Sequence, residues 1–125
     1  MKIPKSHPRR ISLEQRHLLE EGFEKGIVAP AGMMAHGRGE ALDYLLGEKT
    51  SPEAKVQINA AAAMLLLAKR PVISVNGNTT ALCAKEIVQL AKAIPAAIEV
   101  NLFYRTEKRL KLIEKEFRKR GVKIL

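Results

Sequence analysis

A β-branched run followed by a polar turn, Val72-Ile73-Ser74-Val75-Asn76-Gly77-Asn78, opens the second half of the chain. It predicts a buried strand leading into the start of a helix. Further along, the pattern predicts a helix from about Thr79 to Ile94, a strand from Ile98 to Phe103, a helix from its cap Thr106 to Arg120, and a short strand from Val122 to Leu125. Connections long enough to hold helices favour parallel strands joined by right-handed crossovers, which is half of a doubly wound sheet.

The residues before Arg70-Pro71 carry helical patterns. Ser12 and Gln15 have the spacing of a capping box, and Gly26 is a typical stop for the helix that follows. The segment Ile27–Gly39 loses its periodicity and is predicted to be irregular. A short helix is predicted over Glu40–Leu46, closed by Gly47.

Ser51-Pro52-Glu53 is a strong helix start, and this helix is expected to reach about Lys69. Its second half, Ala60–Ala68, is apolar on every side, so we expect it to be sandwiched between layers of structure. The chain is therefore predicted to be a single α/β domain over residues 1–125, three-layered as in a doubly wound sheet. Residues 1–70 are mainly helical, and residues 71–125 form a βαβαβ unit with a short parallel sheet.

Composition excludes several classes of protein. The 125 residues are 46% hydrophobic and 28% charged, unlike a disordered or disulfide-stapled chain. The apolar run Ala60–Ala68 is about half of the roughly 20 residues needed to cross a bilayer. No apolar segment follows the basic residues at the start, so a cleaved secretion signal is not expected. The single Cys83 agrees with a reducing compartment, and we expect a cytoplasmic location.

The formal charge of +9 lies at the two ends. Residues 1–10 carry four bases and no acid, and residues 105–125 carry nine bases against three acids. Such ends are compatible with a nucleic acid, with anionic small ligands or with a solvated face. Two Tyr and three Phe offer little base stacking, which weakens the nucleic-acid interpretation.

Two loops follow the predicted strands, and ligands of such sheets bind at the carboxyl ends of strands. Asn76, Gly77, Asn78 and Thr79 combine amides and a hydroxyl at a helix N-terminus, which is typical of an anion-binding nest or of an ordinary turn. The second loop, Asn101-Leu102-Phe103-Tyr104-Arg105-Thr106, places a guanidinium at the equivalent position, where it can clamp a phosphate or carboxylate or remain a surface charge.

The segment from Gly32 to Gly39 has the glycine spacing of a P-loop, but Arg38 and Gly39 stand where lysine and a hydroxyl residue are required. What remains is a glycine-framed group of His36, Arg38 and Glu40, predicted to let the backbone approach a ligand closely. A second basic segment holds His7 and Arg9. The three histidines and one cysteine show no metal-ligand spacing, so no protein metal site is predicted.

Five segments in order resemble the archaeal phosphopantothenate synthetase family, also called 4-phosphopantoate-β-alanine ligase. They are Ile3-Pro4-Lys5-Ser6-His7-Pro8-Arg9, Ala35-His36-Gly37-Arg38-Gly39-Glu40-Ala41, Asp43-Tyr44-Leu45-Leu46-Gly47-Glu48, Pro71-Val72-Ile73-Ser74-Val75-Asn76-Gly77-Asn78 and Asn101-Leu102-Phe103-Tyr104-Arg105-Thr106-Glu107. The resemblance implies a ligase that joins 4-phosphopantoate to β-alanine, with ATP going to AMP and pyrophosphate, in coenzyme A synthesis. It also implies a Rossmann-like fold and a homodimer.

On this resemblance His36 and Arg38 are expected to be catalytic. Substrate and nucleotide contacts are expected from His7, Arg9, Glu40, Asn76, Gly77, Asn78, Thr79, Asn101, Tyr104 and Arg105. Magnesium is expected on the phosphates, held mostly by substrate oxygens and water.

The resemblance implies a longer family chain, so we expect this sequence to be an N-terminal portion, a split subunit or an inactive remnant of it. The strand at Val122–Leu125 should then present an unpaired edge, which a dimer or a further segment would cover. Two alternatives to an active ligase stay open: a basic nucleic-acid-binding module and a non-catalytic partial subunit of the ligase.

Overall fold

A computed structural model describes residues 3–125. The described residues form five helices and two strands: α1 (Arg10–Glu24), α2 (Pro30–Leu45), α3 (Pro52–Leu67), β1 (Val72–Val75), α4 (Gly77–Ala93), β2 (Ala97–Val100) and α5 (Glu107–Arg118). The predicted α/β class, with a helical segment before a short parallel sheet, is confirmed.

The sheet is parallel, as predicted. β1 pairs with β2 in the register Ile73 to Ile98 and Val75 to Val100. The third strand is reduced to an isolated parallel bridge between Ile98 and Ile124. There the amide of Ile98 donates to the Lys123 carbonyl at 2.8 Å, and the amide of Leu125 donates to the Ile98 carbonyl at 3.0 Å. β2 is therefore central, and the outer side of residues 123–125 pairs with no strand in the described chain.

The two faces of the sheet differ in burial. Ile98 is fully buried and Val75 and Val100 nearly so, because α4 packs on β1 and α5 packs on β2. Val72, Ser74 and Glu99 alternate with them and are exposed. Within residues 3–125 the helices thus cover one face of the sheet only, which gives two layers there in place of the predicted three. The hydrophobic core lies between that face, α4 and α5, with Ile113 and Phe117 of α5 fully buried.

α1 packs against α4, and a glycine permits this close approach. A Cβ at Gly22 would lie 2.8 Å from Ala81 Cβ and 2.8 Å from a methyl group of Val28. The predicted start of α1 at Ser12 is wrong: the helix begins two residues earlier, after Arg9, and no side chain caps it. Gly26 was predicted to end this helix, and that prediction is confirmed, because Gly26 lies directly after the last turn with φ of 73°.

The prediction of irregular structure is wrong for residues 30–39, whereas the helix predicted over Glu40–Leu46 is confirmed as the last part of a longer one. In place of an irregular segment and a short helix, one continuous helix, α2, starts at Pro30. Gly37 and Gly39 lie inside it, and a Cβ on either would meet no atom within 4 Å. Over the part of the chain that the structure describes, these two glycines therefore bring no other segment into close contact. Pro30 at the first helical position was the available signal for the start.

α3 begins as predicted, with the Ser51 hydroxyl accepting from the Ala54 amide at 3.1 Å. The expected burial of Ala60–Ala68 is wrong for the described residues, because α3 has no buried residue. Met64, Leu66 and Leu67 are 73%, 72% and 85% exposed. This helix presents its apolar surface to solvent.

The remaining elements differ from prediction mainly at their ends. α4 starts at Gly77 rather than Thr79, β2 ends at Val100 rather than Phe103, and α5 ends at Arg118 rather than Arg120. α4 contains non-helical backbone at Cys83, whose thiol donates to the Thr79 carbonyl. Partial burial, together with the charge of Glu86, raises the pKa of the Cys83 thiol. Among the described helices, none combines the length and the apolarity required to span a bilayer.

Candidate functional site

A cavity of about 450 Å³ lies at the carboxyl ends of β1 and β2. Its walls come from the loop before α2 and the first turns of α2, from the start of α4, and from the loop between β2 and α5. The lining residues are Ala29, Ala31, Gly32, Ala35, Asn76, Gly77, Asn78, Asn101, Leu102, Phe103, Tyr104 and Arg109. The two loops selected from the sequence therefore meet at one cavity, as the parallel topology requires.

The start of α4 is held by a reciprocal capping box. The Asn76 side-chain oxygen accepts from the Thr79 amide at 3.0 Å, and the Thr79 hydroxyl accepts from the Asn76 amide at 2.9 Å. Thr79 was predicted to bind ligand, but it does not line the cavity and its hydroxyl serves this cap. The capping box leaves the amides of Gly77 and Asn78 without an intrahelical acceptor, as in any first helical turn.

Asn78 joins the two helices that wall the cavity. Its side-chain amide donates to the Gly32 carbonyl of α2 at 2.8 Å. A Cβ at Gly32 would collide with the Asn78 side-chain oxygen, so a larger residue there would displace the Asn78 side chain from this position. Asn78 thus fixes the N-terminus of α2 beside the N-terminus of α4. Both helix dipoles contribute positive potential to the same cavity.

Arg109 adds a full positive charge to this wall. Its guanidinium donates through one nitrogen to the Tyr104 carbonyl, and through the other to the Ile27 carbonyl at 3.0 Å. Neither acceptor is a carboxylate, and Arg109 forms no ion pair within residues 3–125. Two helix N-termini and one guanidinium whose charge no acid neutralises suit a multiply charged anion.

Arg9 and Glu40 come together in a second place, away from the cavity. Their side chains form an ion pair, and the Arg9 guanidinium lies 5.1 Å from the centre of the Tyr44 ring. His7 accepts at Nδ1 from the Arg9 amide at 3.1 Å. These contacts dock the N-terminal segment on α2. None of the three predicted ligand residues in this cluster, His7, Arg9 and Glu40, lines the cavity.

The proposed catalytic residues His36 and Arg38 also lie on α2 and outside the cavity lining. Arg38 is exposed and lies three residues after Ala35, which is nearly one helical turn, so the two share a face of α2. Helical side chains lean toward the helix N-terminus, which here is the cavity end. Ala35 lines the cavity, and Arg38 lies nearly one turn further along α2. His36 is half-buried, and its Nδ1 atom is buried and finds no hydrogen-bond partner among residues 3–125.

The loop after β2 brings Asn101 and Tyr104 into the lining, while Arg105 stays outside it. Phe103 is 95% exposed, and its ring packs edge-on against Tyr104 with 5.2 Å between ring centres. An exposed aromatic pair therefore stands at the rim of the cavity.

Nucleotide phosphates fit this cavity by charge and by donor type. The residues that line it include asparagine amides and an arginine but no carboxylate. Among the described residues no group of three His, Cys, Asp or Glu is placed to hold a metal ion. A magnesium ion accompanying a nucleotide would accordingly be held by phosphate oxygens and water, with at most an asparagine oxygen from the protein.

Sequence analysis missed Arg109 and the start of α2. Arg109 was counted in the basic terminal segment, although its position three residues after the cap Thr106 placed it in the first turn of a helix beginning at the strand ends. The small residues Ala31, Gly32 and Ala35 carry no chemistry by themselves. Only the observed helix brings them to the cavity.

Residues 53–125 match the phosphopantothenate/pantothenate synthetase family. The chain belongs to this family. It is 58% identical over 119 residues to a protein of Thermococcus onnurineus named 4-phosphopantoate–beta-alanine ligase, an alignment that covers 95% of this chain and 46% of the relative. Proteins of the same name from Thermococcus kodakarensis and Methanospirillum hungatei are 58% and 52% identical, over 94% and 98% of this chain and 45% and 51% of each relative. The chain spans about half the length of the curated relatives it matches.

Proposed function

We propose that the cavity at the strand ends binds the phosphate groups of ATP and 4-phosphopantoate, as part of an ATP-dependent ligase that forms 4'-phosphopantothenate from 4-phosphopantoate and β-alanine. The relatives carry the name of that activity. The observation that carries the proposal is the convergence of the N-termini of α2 and α4 on one cavity beside the unneutralised Arg109.

In this proposal the groups at the cavity have distinct roles. The amides of Gly77 and Asn78 donate to phosphate oxygens, and Arg38 reaches along α2 to a further phosphate or carboxylate. Formation of an acyl adenylate shifts negative charge onto the departing pyrophosphate, and fixed amides and guanidinium groups stabilise that charge without reorganising. ATP with magnesium supplies the leaving pyrophosphate. Glu40 pairs with Arg9, and side chains two residues apart on a helix point to different sides, so His36 and Glu40 are given no part in orienting Arg38.

Two further parts of the proposal, the homodimer and the cytoplasmic location, rest on observations outside the cavity. The exposed apolar side of α3 supports a homodimer, because such a surface is costly in water and a stable pair buries on the order of 800 Å² per subunit. The expected cytoplasmic location rests on the lone Cys83.

Calorimetric titration with ATP and then with 4-phosphopantoate tests the proposal. We expect saturable binding of each by the 125-residue chain. Product formation by this chain alone would support the complete ligase, and activity that requires a second polypeptide would support the partial-subunit alternative. Binding of neither ligand would refute the assignment and leave family membership alone.

Nucleic-acid binding is the competing class of function, and it would use the basic face of α5. At the end of that helix and directly after it, Arg118, Lys119 and Arg120 pair with glutamates of α5, which neutralise part of this basic face. An oligonucleotide bound with steeply salt-dependent affinity, together with no response to ATP, would favour this class over the ligase.

A further inference from the structure

Arg109 connects two walls of the cavity that are distant in sequence. One guanidinium nitrogen donates to the Tyr104 carbonyl in the loop after β2, and the other donates to the Ile27 carbonyl 82 residues away, at 3.0 Å. Its backbone amide donates to the Thr106 hydroxyl at 3.2 Å, which anchors the residue in the first turn of α5. Arg109 is thus a bridge between the loop that carries Tyr104 and the connection that leads into α2.

The start of α4 packs directly against both the Arg109 guanidinium and the Ile27 carbonyl group. A Cβ at Gly77 would lie 3.1 Å from the guanidinium of Arg109 and would collide with the Ile27 carbonyl oxygen. The carbonyl that Arg109 holds is therefore pressed against the first residue of α4. Movement of the guanidinium would release the Ile27 carbonyl, and with it the separation between the N-termini of α2 and α4.

Arginine is suited to this task because its planar fork supplies two parallel donors in fixed geometry. The two hydrogen bonds to carbonyl groups use two of the five N–H donors of the guanidinium, one on each terminal nitrogen. Its Nε atom is buried and has no hydrogen-bond partner in the described chain. Its hydrogen bonds thus give Arg109 a role in holding two segments of the protein, in addition to the charge that it contributes to the cavity.

We propose that Arg109 is a positioning residue, which sets the spacing of the loop 101–106 and the connection 27–29 and thereby determines the affinity of the cavity for a phosphate-bearing ligand. The inference rests on the proposed phosphate-binding function of the same cavity. It assigns to α5 a role in the site, although only the first turn of that helix reaches the cavity.

The variants Arg109→Gln and Arg109→Lys test the proposal, with Lys111→Gln as the matched control. Lys111 is exposed on the same helix and does not line the cavity, so its variant removes an equal charge without touching the bridge. Two measurements are made on each full chain: amide hydrogen exchange without ligand, and calorimetric affinity for inorganic pyrophosphate.

We expect Arg109→Gln to exchange faster in segments 27–32 and 101–106 while the amides around the buried Leu19 keep their protection. Pyrophosphate affinity should fall about tenfold or more, since a charged donor serving a buried carbonyl is lost. Arg109→Lys should recover part of both effects, because an ammonium can still donate to one of the carbonyls. Lys111→Gln should leave exchange in both segments unchanged.

Every other outcome counts either against the positioning role of Arg109 or against the proposed phosphate-binding function of the cavity. If wild-type and Arg109→Gln bind pyrophosphate equally, or if exchange rises throughout the molecule, the positioning role is refuted. If the wild-type chain binds no pyrophosphate, the proposed function of the cavity fails. In that case amide hydrogen exchange in segments 27–32 and 101–106 tests the Arg109 bridge by itself. If Arg109→Gln leaves this exchange unchanged, the bridge is refuted.

Discussion

Replacing Gly77 by alanine should destabilise the protein, because the backbone of another segment occupies the space of the new methyl group. The Cβ would collide with the Ile27 carbonyl oxygen and lie 3.2 Å from the Ile27 carbonyl carbon. Backbone cannot rotate away as a side chain can, so the connection before α2 must shift. Overpacking of this kind costs about 2 to 3 kcal/mol. In a domain of this length each kcal/mol lowers the melting temperature by roughly 3 to 5 °C, which gives a fall of about 10 °C.

Gly39→Ala is the matched control, since Gly39 lies inside α2 and its Cβ would meet nothing within 4 Å. Alanine is favoured over glycine in a helix interior by about 0.5 to 1 kcal/mol, so this variant should melt a few degrees higher. Melting is followed by circular dichroism at one protein concentration, because dimer formation would otherwise shift the transition. If Gly77→Ala melts within about 2 °C of the wild type, the close approach at Ile27 is refuted.

Three further expectations concern regions outside the cavity. Ser51→Ala removes the cap of α3 and should cost about 1 kcal/mol, visible as a lower melting temperature. The raised pKa of Cys83 should make its reaction with a disulfide reagent at pH 8 slower than that of a free thiol, and an equal rate would contradict its burial. Light scattering should give about twice the 13.9 kDa of one chain, and Leu66→Glu on α3 should halve the measured mass. A wild-type mass near 13.9 kDa at all concentrations would refute the dimer.

The second half of the fold was predictable because each of its signals is local. The run at Val72–Val75 and the caps at Asn76 and Thr106 define where strands end and helices begin. Since parallel strands end at the same edge, the meeting of the loops at 76–78 and 101–104 followed from topology alone.

The first half was less predictable, for a physical reason. Gly37 and Gly39 broke the periodicity of α2 without breaking the helix, because the residues around them, together with Pro30, sustain it. The apolar pattern of Ala60–Ala68 indicated burial. An apolar pattern does not show whether the surface that buries a helix belongs to the same chain or to another one. Arg109 escaped notice because a charged residue in a basic segment shows its carbonyl partners only in three dimensions.

The most direct test of the central claim is a titration of the isotopically labelled chain with ATP, followed by amide chemical shifts in NMR spectra. The account predicts saturable shifts concentrated at the amides of Gly77, Asn78 and Ala31, at the two helix N-termini that face the cavity. Shifts confined to the basic face of α5 around Lys115, or none at all at saturating ATP, would contradict it.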